Sequence, residues 1–182
     1  AAFGVLSGIL TPLAVPVIDR FGGGPGDLRI ALVALPFAVL VFILVRRHSA
    51  NPWWAALLAA IVTMVAFVCA VNAAVFIDGL AGGLAKVSRN ILAGLAGGFV
   101  GAGVMALGIA LLPAGPRALA AWLPILIVGT VAAFMAYNEA RRWSREPEKF
   151  GHGSEEGIAA PEAANNAAAA GVLAPLLSLG LP

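Results

Sequence analysis

The chain has 182 residues, 61% of them hydrophobic and only 11% charged, with a mean hydropathy of +0.97. A soluble domain carries about 25% charged residues, so this composition excludes a soluble globular protein and predicts a polytopic membrane protein. The net charge of +2 and the pI near 9.2 do not argue for nucleic acid, because the basic residues flank apolar runs and form no separate patch.

Residues 1–18 are apolar but contain Pro12 and Pro16, which predicts a first span, kinked or clipped. Residues 19–29 hold Gly22-Gly23-Gly24-Pro25-Gly26. No Lys-Ser/Thr or GxGxxG spacing follows, so this reads as a connector and not as a phosphate cradle. The second span is expected over 28–45, closed by Arg46-Arg47-His48, and the third over 52–77, with Trp53-Trp54 as an interfacial anchor. Within the third, Thr63 and Asn72 are expected to bond between helices, and Cys69, the single cysteine, reads as a small packing residue. Residues 78–90 form a polar connector with Lys86 and Arg89.

The fourth span, 91–112, carries the GxxxG pairs Gly94/Gly98 and Gly97/Gly101. Such pairs let a neighbouring helix approach closely, and packing fits them better than a glycine-lined substrate path. Residues 113–116 are a tight turn, and the fifth span, 117–137, runs on into a charged segment, 139–149. Arg20, Arg29, Lys86, Arg89, Arg141, Arg142, Arg145 and Lys149 follow spans one, three and five, whereas only Arg46, Arg47 and Arg117 lie on the other side. The bias predicts that loops one, three and five are cytoplasmic. Arg141-Arg142-Trp143 with Arg145 suits anionic lipid headgroups or a partner, but the simpler reading is a juxtamembrane positive-inside anchor with Trp143 at the interface.

Residues 151–182, GHGSEEGIAAPEAANNAAAAGVLAPLLSLGLP, differ in texture, crowding carboxylates, amides, glycines and prolines against apolar sequence. Pro161 suits the first turn of a helix. Glu162, Asn165 and Asn166 then fall at i, i+3 and i+4 and share one helix face. Gly171 and Pro175 interrupt the run beyond them. Amides at membrane depth donate to a carboxylate or coordinate a cation through their oxygens, and the free N–H groups of the helix start favour an anion. Glu162 would repel a carboxylate unless it binds Na⁺, carries a proton or pairs with a cation. Hydrogen bonding to neighbouring helices accounts for the same residues equally well. Glu155-Glu156 reads as solvated loop, and His48 and His152 have no ligand-spaced partners, so no catalytic or metal site is assigned.

From Gly129 onward, and above all in EGIAAPEAANNAAA (156–169), the chain strongly resembles the large permease subunit of tripartite tricarboxylate transporters. The resemblance implies a secondary transporter for di- and tricarboxylates, driven by a Na⁺ or H⁺ gradient and needing no other cofactor. It also implies a small membrane subunit and a periplasmic solute-binding protein as partners, and a place in the bacterial inner membrane. It makes Pro161, Glu162, Asn165 and Asn166 the substrate-path residues. Two departures are local: Leu126-Ile127-Val128 replaces a Pro-Gly-containing loop, and Ala170-Gly171 stands where two glycines are usual. The family's permease is also far longer than this chain. Both termini read as cuts, so a fragment is expected.

The expected architecture is all-α: a membrane helix bundle of about five spans followed by a broken or re-entrant segment. Residues 128–182 form the permease-like part. Residues 1–127 form a hydrophobic bundle of unassigned family, open to three readings: a divergent portion, an unrelated protein joined near 127/128, or a fused small subunit. The alternative function is an accessory membrane protein whose glycine-rich helices pack on a partner.

Overall fold

The computed structural model describes Arg20, residues 26–113 and 119–150, and Ala160, Pro161 and Ala164. Among these the protein is all-helical: α1 (Gly26–Val33), α2 (Leu35–His48), α3 (Trp53–Leu80), α4 (Lys86–Ala110) and α5 (Leu119–Trp143), then a 3₁₀ turn at Pro147–Lys149. Among the described residues, three stretches are long and apolar enough to cross a membrane: α3, α4 and residues Trp122–Trp143 of α5. The expected first span lies outside the described residues.

The expected second span is not one helix. It breaks at Ala34, between α1 and α2, because Pro36 has no N–H to give the Leu32 carbonyl and its ring crowds that turn. The backbone tightens there: Ala34 N–H donates to Ala31 at 3.1 Å, and the four-residue step resumes with Ala38 N–H to Ala34 at 2.9 Å. The expected connector 78–90 also shrinks. Asp78 to Leu80 still belong to α3, and α4 already starts at Lys86, leaving only Ala81 to Ala85 as the turn. The helices extend because their polar ends find partners on neighbouring helices.

α4 lies between α3 and α5 and touches both, while α2 packs on α3. Lipid is as apolar as leucine, so close approach and interhelical bonds, not burial from water, drive such packing. The glycines of α4 supply that approach on two sides. A Cβ on Gly97 would sit 3.0 Å from the Ala70 carbonyl oxygen of α3, and one on Gly98 would sit 3.0 Å from Thr130 Cα of α5. Further along, a Cβ on Gly108 would overlap the Val62 side chain of α3. The packing reading of these glycines therefore holds, except that Gly94 has open space beside it. Two apolar clusters fill the remainder. Phe37, Val41 and Val45 of α2 pack with Ala55, Ala56 and Ala59 of α3 and with Leu112. Ala66 of α3, Met105 and Ile109 of α4 and Ile125 of α5 form the other.

Thr63 is buried yet does not bond between helices. Its hydroxyl donates to the Ala59 carbonyl one turn back at 2.8 Å, an acceptor that costs no chain rearrangement. Asn72 Nδ2 donates to Val68 O at 2.9 Å. Trp53 and Trp54 are exposed at the start of α3, where an interfacial aromatic belongs. α5 crosses residues 127 and 128 without interruption and contains Pro124.

Candidate functional site

Of the four residues expected to line a substrate path, Pro161 is described. It is helical and half-buried, in a helical context with Ala160 and Ala164. Glu162, Asn165 and Asn166 lie outside the described residues.

The polar centre of the described bundle sits at one end, where α3 finishes, α4 begins and α5 finishes. The turn from Ala81 to Ala85 folds α4 back on α3 and brings Arg89 to Asp78, Nε to Oδ1 at 2.9 Å. That nitrogen is buried and has no well-aligned hydrogen bond, so the contact is chiefly coulombic. Asn90, one residue on, is almost wholly buried. Its neighbours set the amide orientation: Nδ2 donates to the Lys86 carbonyl at 3.3 Å, and Oδ1 accepts from Arg141 Nη1 of α5 at 3.2 Å. One buried amide thus ties α4 to α5, while the ion pair ties α4 to α3.

The chain after α5 closes over this end. Phe150 is fully buried, with its ring edge-on to Tyr137 (centroids 5.4 Å apart, interplanar angle 72°). Lys86 Nζ reaches the Glu148 carbonyl at 3.5 Å. The loop after the third span and the segment after the fifth therefore meet at the same end of the bundle. Outside this core, Glu139 faces Arg142 at 3.8 Å and accepts from Trp143 Nε1 at 3.0 Å, and Lys149 pairs with Glu146 at 2.6 Å.

The sequence flagged the charges of this cluster but not its pairings. The cue for Asp78 and Arg89 was present: two opposite charges flank an Ala-Gly-Gly turn between apolar helices. Nothing local marks Asn90 as buried, since its partner Arg141 lies on another helix. Chemically the cluster holds amides, cations and carboxylates. It can clamp helices and attract anions.

Comparison with known proteins places the other end of the chain. Residues 117–182 match the family described as the tripartite tricarboxylate transporter TctA family. The match begins upstream of Gly129 and takes in all of α5. Two curated proteins of Agrobacterium vitis are similar over 52 residues, 29% of this chain. One, an uncharacterized 52.8 kDa protein in the TAR-I ttuC′ 3′ region, is 52% identical, and the stretch is 10% of its length. The other, an uncharacterized protein in the TAR-II ttuC′ 3′ region, is 50% identical over 22% of its length. The chain thus spans only a small part of the curated relatives it matches. No solved structure matches.

Proposed function

We propose that this chain, whose residues 117–182 match the tripartite tricarboxylate transporter TctA family, is part of the large permease of an ion-driven carboxylate transporter. The single observation that carries the reading is that match, because it contains Pro161, Glu162, Asn165 and Asn166 together. A multi-pass helical bundle built on close glycine contacts is the membrane setting such a permease requires.

In this account the helix that starts near Pro161 presents its free N–H groups to a substrate carboxylate. The Asn165 and Asn166 amides donate to the same anion. Glu162 on that face takes the coupling Na⁺ or proton, which removes its repulsion of the substrate. Access alternates by rocking of two halves of the whole permease about the site. A periplasmic binding protein delivers the di- or tricarboxylate, a small membrane subunit completes the assembly, and the whole resides in a bacterial inner membrane.

The test is uptake. A complete permease bearing this segment, reconstituted with its small subunit and binding protein, takes up labelled di- or tricarboxylate when a Na⁺ or proton gradient is imposed. Binding-protein-independent equilibration, or no uptake under either gradient, contradicts the proposal. The rival reading, an accessory protein that packs on a partner, draws on Gly94, which lies on α4 with nothing against it. It expects no uptake in that experiment.

A further inference from the structure

Among the described residues, the end of the bundle where α3, α4 and α5 meet holds six cations (Lys86, Arg89, Arg141, Arg142, Arg145 and Lys149) against four carboxylates (Asp78, Glu139, Glu146 and Glu148). Asp78 is engaged by Arg89, Glu139 by Arg142 and Glu146 by Lys149. Among the described residues, Lys86 and Arg141 face no carboxylate at ion-pair distance. Lys86 Nζ reaches a backbone carbonyl and Arg141 a neutral amide.

The start of α4 sharpens the imbalance. A helix N-terminus carries about half a positive charge and favours acidic residues. Here the first turn has no acid, the cap residue Ala85 offers no side-chain hydrogen bond, and Lys86 and Arg89 stand there instead. Both side chains oppose the helix dipole, and Asp78 answers only Arg89.

Position names the missing anion. Lys86 opens one membrane-length helix, and Arg141 lies in the last turn of another. Beside them Trp143 is 78% exposed, with the Arg142 guanidinium 5.9 Å from its ring centre. An exposed tryptophan with flanking cations marks headgroup depth, where the available anions are lipid phosphates. Basic clusters between the ends of membrane helices bind such headgroups. Arginine adds a planar fork for two phosphate oxygens, and lysine adds a mobile point charge.

We infer that Lys86 and Arg141, the latter held in place by buried Asn90, bind the phosphodiester headgroup of an anionic phospholipid. This inference stands independently of the transport reading.

The experiment uses the full chain in a neutral detergent and follows its thermal midpoint during titration with phosphatidylglycerol, phosphatidylcholine or inorganic phosphate. Phosphatidylglycerol raises the midpoint at concentrations where phosphatidylcholine does not, and added salt shrinks the rise. Lys86→Gln alone, which removes no buried side-chain hydrogen bond, weakens the apparent affinity about fivefold, and Lys86→Gln with Arg141→Gln weakens it further. The Arg46→Gln/Arg47→Gln control at the opposite end leaves it unchanged. An unaltered titration in Lys86→Gln overturns the inference. So does an equal rise with inorganic phosphate alone, which would assign the cluster to a soluble anion.

Discussion

Arg89 Nε lies 2.9 Å from Asp78 Oδ1 across the turn that joins α3 to α4, with side-chain exposures of 19% and 30%. The pair is neither fully exposed nor dry. An exposed pair contributes about 0–1 kcal/mol, whereas breaking a buried one costs about 3–5 kcal/mol. Asp78→Ala therefore costs about 2 kcal/mol, because it strands a buried guanidinium nitrogen. Arg89→Ala costs less, because the more exposed carboxylate can be hydrated. Unfolding of the two single variants and the double variant in detergent gives the coupling, expected near 1 kcal/mol. A coupling indistinguishable from zero would make the pair incidental to the hairpin.

Neighbouring positions on α4 separate packing from propensity. Gly98→Ala places a methyl against Thr130 Cα and O, both backbone atoms, at 3.0 and 3.2 Å. The helices must move apart, at about 1–3 kcal/mol. Gly94→Ala meets nothing and gains up to about 1 kcal/mol of helix propensity. Opposite shifts in the unfolding midpoint are expected. Equal losses would mean that Gly94 is covered in the intact protein, as the accessory-protein reading holds.

Phe150 anchors the connector that leads towards residues 151–182. Phe150→Ala empties a fully buried site against Tyr137 and costs about 3 kcal/mol locally. The connector then opens ahead of the bundle. Limited trypsinolysis should cut after Arg145 and Lys149 several times faster in the variant, with α3 to α5 still protected. Unchanged cleavage would show that Phe150 does not hold the segment down.

Membrane orientation has a direct readout. In a Cys69→Ala background, Ser88→Cys should react with an impermeant thiol reagent from the cytoplasmic side, and Ala50→Cys from the opposite side. Both positions are exposed, at opposite ends of α3. The reverse labelling pattern would contradict the orientation taken from the Lys and Arg bias.

Much of this was legible from the residues, and the departures have local physical causes. Apolar run length located α3, α4 and α5, because lipid demands about 20 such residues per span. The expected second span ran straight through Pro36, whose missing N–H and ring break the helix at Ala34. Asp78 and Lys86 to Asn90 looked like loop because they are polar. They are helical because Asp78–Arg89 and Asn90–Arg141 satisfy each other, which no one-dimensional pattern displays. Thr63 looked like an interhelical donor, but its own helix offers an acceptor one turn away. The residues that carry the functional proposal were read from a motif, and of these Pro161 alone is among the described residues.

The most direct measurement of the central claim is carboxylate uptake by a complete transporter carrying Asn165→Ala or Asn166→Ala, with assembly followed in the same membranes. If the paired amides on the helix that starts near Pro161 hold the substrate, uptake falls at least tenfold while the permease still assembles with its small subunit. The loss of a hydrogen bond to a charged group, about 1.5–3 kcal/mol, sets that scale. Unchanged uptake with impaired assembly would contradict the account and make these residues part of the packing between helices.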